Sequence, residues 1–134
     1  MPALDTNILV RWLVQNDDAQ GARIESLFRS SIANRKPLFV PCTVMLELEW
    51  VLRSRYRYSK ETVVQGLDSL LEAKELEIQF EPAIERALYL YREGSADFAD
   101  CLHVGLTAAA DRLPLVTFDE RASRLSGAQL LSGH

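Results

Sequence analysis

Cysteine is scarce in this chain, with two in 134 residues. Cys42 and Cys101 are too few for a disulfide framework, and their neighbours read as core or helix and not as metal-binding loops. Long apolar runs are also missing. No stretch approaches the roughly 20 apolar residues that span a bilayer, so no membrane role is expected. The opening Met1-Pro2-Ala3-Leu4-Asp5 has neither a basic region nor an apolar run, so no signal peptide is expected and a cytoplasmic protein is. No linker, repeat or low-complexity segment is visible, and the length suits one domain over residues 1–134. Positive charge is in deficit, with a net charge of −4. That argues against a protein that coats nucleic acid nonspecifically. It leaves room for an enzyme in which a bound cation restores local attraction for phosphate.

What is present is an alternation of short apolar runs and longer helical patterns. Pro2-Ala3-Leu4 reads as a first strand. Residues 6–14 and 17–34 read as helices, the second with Ile24, Leu27, Phe28 and Ile32 on one face. A strand is expected at 37–41 between prolines, helices at 43–55 and 59–73, and a strand at 76–80. Pro82 opens a further helix, where proline is tolerated in the first turn. An Ala-rich helix follows at 97–111, then a strand at 114–117, a short helix from Asp119 and an edge strand at 128–131. Strands alternating with helices imply an α/β fold with a parallel sheet covered on both faces. Function in such sheets sits at the carboxyl ends of the strands.

Acids stand at suggestive places. Asp5 follows the first strand, and Asp119 follows the strand Leu115-Val116-Thr117; each is equally readable as a helix N-cap. On a helical wheel for 43–55, Glu47 falls in the apolar arc between Trp50 and Val51, whereas Glu49 falls near Arg53 on the side expected to be solvated. A carboxylate on a buried face needs a partner or a metal, and a buried salt bridge is the alternative. Asp97 and Asp100, three apart, are helix neighbours flanking Val104. Asp97 can serve the helix dipole alone, so Asp100 is the more informative. Clustered carboxylates repel one another unless protonated or neutralised by a cation. Hard oxygen donors without Cys or His clusters favour Mg²⁺ or Mn²⁺.

These segments resemble the PIN-domain family of ribonucleases, particularly the VapC-like toxin subunits of type II toxin–antitoxin pairs. The resemblance runs through Leu4-Asp5-Thr6-Asn7, residues 44–52 around Glu47, residues 96–103 around Asp97 and Asp100, and Val116-Thr117-Phe118-Asp119. It implies a three-layer α/β/α sandwich with a central, mainly parallel sheet, and Mg²⁺- or Mn²⁺-dependent cleavage of RNA phosphodiester bonds. It also implies a small antitoxin protein as partner and a homodimer. On this reading Asp5, Glu47, Asp100 and Asp119 are catalytic, and Asp5, Asp97, Asp100 and Asp119 hold metal. Asn7 and Thr117, short and adjacent to these acids, support carboxylates or water, although Asn7 is as readily a turn residue.

Other residues carry weaker signals. Arg53, Arg55, Arg57 and Lys60 form the densest basic run and can track RNA phosphates, or simply complement a helix end. His103 reads as an ordinary helix histidine, and His134 as a frayed terminus. Trp12 and Trp50 can stack on bases but fit core or dimer packing better, and Met45 reads as core filler. Two other functions compete. One is a phosphohydrolase with Asp5 as nucleophile, against which stands Asn7 where a second acid is expected. The other is a non-catalytic module that docks a basic partner.

Overall fold

The computed structural model describes residues 2–15 and 18–132, and the chain forms two compact units, one running to Gln79 and one starting at Phe80. The readings made at Asp17 and His134 lie outside the described residues.

The first unit opens with α1 (Thr6–Val14), whose start is set by Asp5: its Oδ1 accepts the Ile8 N–H at 3.2 Å. Helix α2 (Ala19–Asn34) is capped in the same way by Asp18, which accepts the Gly21 N–H at 2.7 Å. Its buried positions are Ile24, Phe28 and Ser31, one face at helical spacing. Ile32, expected on that face, is exposed instead. The polar Ser31 takes the inward place because its hydroxyl donates to the carbonyls of Lys36 and Glu75, which removes the cost of burying it. Strand β1 (Leu38–Val40) pairs in parallel with β2 (Leu76–Ile78), Leu38 opposite Leu76. A parallel pair needs a crossover, and α3 (Cys42–Ser54) and α4 (Lys60–Glu72) supply it. The expected strand Pro2-Ala3-Leu4 reduces to one parallel bridge, Ala3 to Phe39. Met45 is fully buried, a core residue as expected, and the half-buried Trp12 stacks on the buried Phe28 with ring centroids 4.1 Å apart.

The second unit is built on α5 (Glu81–Glu93) and α6 (Phe98–Ala109). Their closeness depends on Gly105, where an added Cβ would lie 2.4 Å from the Ala83 carbonyl oxygen. Phe98, Cys101, Leu102, Val104 and Gly105 form the buried side of α6. Strand β3 (Leu115–Thr117) pairs in parallel with β4 (Ala128–Leu130), joined by the four-residue α7 (Glu120–Ser123). The α/β class is thus borne out: helices and strands alternate, and every strand pairing among the described residues is parallel. No helix among the described residues is long and apolar enough to cross a membrane.

Candidate active site

Each unit carries its own group of carboxylates. In the first, Asp5 ends the bridge segment and caps α1 through one oxygen, leaving Oδ2 outside that bond. The next residue, Thr6, is buried, and its hydroxyl donates to Glu47 Oε1 on α3. Sequence reasoning overlooked Thr6, which ties a carboxylate 41 residues away to the start of α1. Its only trace in the sequence is its place directly after Asp5, since a threonine alone suggests no chemistry. Asn7 is exposed and lines, with Asp5, Arg11 and Arg23, a cavity of 410 Å³.

The burial of the two α3 glutamates is the reverse of the expectation. Glu47 is exposed, and Glu49 is 2% exposed. The buried stripe is Met45, Leu48, Glu49 and Leu52, at spacings of three and four, so Trp50 and Glu47 fall together on the outer side. The argument that a buried carboxylate demands a partner applies to Glu49, and Arg53 Nε answers it at 2.7 Å. Glu47 remains a candidate for a different reason: it is an accessible carboxylate held in place by a buried hydroxyl.

In the second unit, Asp97 occupies the N-cap of α6, one residue before the helix proper, yet its side chain makes no capping hydrogen bond. Asp100 lies in the first turn and is half-buried. Partial burial holds its carboxyl above the ordinary value of 3.8, the charge on Asp119 pushes it further, and Asp97 adds to this while His103 opposes it. Asp119 caps α7, accepting the Ala122 N–H at 2.9 Å. Thr117 Oγ1 accepts the Asp119 N–H at 3.0 Å and so fixes the turn that presents this acid, through its backbone and not its carboxylate. His103 is exposed, as an ordinary helix histidine would be.

The basic run divides. Arg53 is committed to Glu49, Arg55 lies over the Trp50 ring, Arg57 is exposed with a left-handed φ of 55°, and Lys60 begins α4. A cation at a helix start does not complement the dipole, so the helix-end explanation holds for Arg53 and fails for Lys60.

Asp100 feels the charges of Asp119 and Asp97, yet no three Asp, Glu, His or Cys side chains among the described residues form a ready cage for a metal ion. The two observations are compatible. Mg²⁺ seldom uses an all-protein cage and usually takes one or two carboxylates, with waters and substrate phosphate completing its shell. The donor set, hard oxygens whose mutual repulsion a cation would relieve, fits such an ion.

The fold and these acids define a class of protein. The chain belongs to the PIN-domain family, whose model, described as PIN domain, matches residues 3–128, and the α/β fold is that family's. Among characterised relatives, a VapC ribonuclease of Aquifex aeolicus (strain VF5) is 26% identical over 125 residues, which is 93% of this chain and 92% of that protein.

Proposed function

We propose that this chain is a Mg²⁺- or Mn²⁺-dependent endoribonuclease, the toxin of a toxin–antitoxin pair, acting in the cytoplasm as a homodimer. The observation that carries the nuclease reading is the crowding of Asp100 by Asp119 and Asp97, in a chain matched through both units to a family of nucleases. That match also supports reading residues 1–134 as one nuclease domain. The name of the Aquifex relative, a VapC ribonuclease, supports RNA as substrate and an antitoxin as partner.

Asp5, Asp97, Asp100 and Asp119 are the carboxylates that would hold metal. A bound divalent cation lowers the pKa of water and offsets charge on the phosphoryl oxygens. The chain itself supplies orientation. Asp5 is fixed by its cap bond, Glu47 by Thr6, and Asp119 by its own cap bond and by Thr117 at its backbone. Glu47, accessible and held, is placed to orient water, as is Asn7 beside Asp5.

The test is cleavage by purified protein free of any partner. RNA should be cut with Mg²⁺ or Mn²⁺ and spared in EDTA, and Asp5→Asn or Asp100→Asn should abolish cutting. Cleavage undiminished in excess chelator overturns the metal requirement. Intact RNA under every metal tried overturns the nuclease itself. Co-expression with a small protein encoded beside it should suppress cutting.

A further inference from the structure

The outer side of α3 and the segment after it carry a patch that the active-site residues do not use. Trp50 is 48% exposed, Tyr56 44% and Tyr58 37%, unusual exposure for three large rings so close in sequence. They are interleaved with cations: from Trp50 to Lys60 the chain contains Arg53, Arg55, Arg57 and Lys60 and no Asp or Glu. The rings are ordered by contacts of their own. The Arg55 guanidinium sits 5.7 Å from the centre of the Trp50 ring, and Tyr56 and Tyr58 stack at 5.8 Å with planes 14° apart. Backbone bonds fold the segment back on its helix, from Tyr56 N–H to the Val51 carbonyl and from Tyr58 N–H to that of Leu52.

We propose that Trp50 with Arg55 across it, and the Tyr56–Tyr58 pair, form a stacking platform for single-stranded RNA one helical turn from Glu47. The inference rests on the nuclease reading and gives it a substrate form. Flat rings accept the face of any base, and guanidinium groups between them meet the phosphates. Glu47 and Trp50 are three residues apart on one exposed helix side, which puts their Cβ atoms at roughly 5–6 Å, the scale of neighbouring nucleotides. A strand lying at Glu47 therefore meets Trp50 next. Duplex RNA hides its base faces and cannot use such a platform. A second copy of the chain is a poorer occupant, because a symmetric contact would set Arg55 and Arg57 against the same cations.

The experiment measures binding of an unstructured oligouridine of about ten nucleotides, within the usual site sizes for single strands. The protein is the full chain carrying Asp100→Asn to prevent cutting, with Mg²⁺ present. Adding Trp50→Ala should weaken binding by roughly five- to a hundredfold, the range of one base–aromatic stack. Trp50→Phe should retain most of it, and Tyr58→Ala should reproduce the loss independently. Arg57→Ala should flatten the salt dependence. Trp50 is half exposed, so these variants should fold, and melting curves check this. The proposal is overturned if the alanine variants bind like their parent, or if duplex RNA binds as tightly as the single strand. It is also overturned if the parent is a dimer that Trp50→Ala dissociates, since the patch is then covered by protein. Wild-type protein that still cuts RNA in the first two cases leaves the nuclease reading standing. Wild-type protein that neither binds nor cuts RNA removes both.

Discussion

Thr6→Val isolates the hydroxyl that holds Glu47 while keeping the shape of a buried side chain. Thr6 is 6% exposed, so the added methyl meets packing and not water. A hydrogen bond to a charged group is worth about 1.5–3 kcal/mol when its loss strands a buried partner. Here the acceptor belongs to an exposed glutamate, and water replaces the lost donor, which reduces the loss to about 1 kcal/mol. Burying a methyl in place of the hydroxyl returns up to about 0.8 kcal/mol. The two terms nearly cancel, so the melting temperature should move by no more than about 5 °C. Catalysis should respond differently. A freed Glu47 samples other rotamers, and a misplacement of about 1 Å costs on the order of a hundredfold in rate. The expected result is a fall in kcat of at least about tenfold with KM little changed, because the residue orients a group and does not itself grip substrate. Thr6→Ser keeps the hydroxyl and should keep most of the rate. The assay is steady-state cleavage of a short fluorogenic RNA in Mg²⁺, beside thermal melting of each variant. Full activity in Thr6→Val would show that Thr6 merely fills space. An equal loss in Thr6→Ser, which keeps the hydroxyl, would refute the hydrogen-bond argument.

Asp100 gives a pH-dependent expectation. Its folded-state pKa is raised above 3.8, so the folded state holds the proton more tightly than the unfolded one, and stability falls as pH rises through that window. Asp100→Asn should therefore melt at the same or a higher temperature than wild type at neutral pH in chelator, with the gap closing as pH falls towards 3.8. Saturating Mg²⁺ should reverse the order, since a ligand stabilises the state that binds it; equal destabilisation with and without metal would remove Asp100 from the site. Gly105→Ala should cost at least about 2 kcal/mol in urea unfolding, because a Cβ 2.4 Å from a backbone oxygen forces α5 and α6 apart; an unchanged midpoint would contradict their close approach. Arg53→Ala should cost about 1–3 kcal/mol, between the values for exposed and buried pairs, because Glu49 is buried and Arg53 is 45% exposed. Restoring much of that stability with Glu49→Gln in the same chain would confirm the pairing, and additive losses would deny it.

The α/β alternation was legible because helix caps and apolar runs announce themselves locally. Asp5 before α1 and Asp119 before α7 each mark a start that the structure keeps. The burial of Glu47 and Glu49 was not legible. The wheel sets the apolar arc around Trp50 and Val51, with Trp50 the largest apolar side chain of the helix, whereas packing selects Met45, Leu48 and Leu52. An exposed tryptophan is indistinguishable in sequence from a buried one, and here it turned the helix the wrong way. Ile32 misled for the same reason, and Ser31 went unnoticed because the carbonyls that satisfy it come from distant points of the chain. Asp97, Asp100 and Asp119 could be named from their places beside helix starts. Which of them is shifted, and by which neighbour, depended on distances across α6 and α7 that no spacing encodes.

Asp5 and Asp119 each spend one oxygen on starting a helix. Asparagine caps a helix about as well as aspartate does. A single change at either position can therefore erase the negative charge and leave the architecture standing. On the proposed nuclease reading, the ability to fold and the ability to react are separable at two of the acids. A descendant silenced in this way would accumulate normally, keep its surfaces and still engage whatever grips them. Intact folding of such a relative would say nothing of its chemistry, whereas the identity of one side-chain atom at each helix start would.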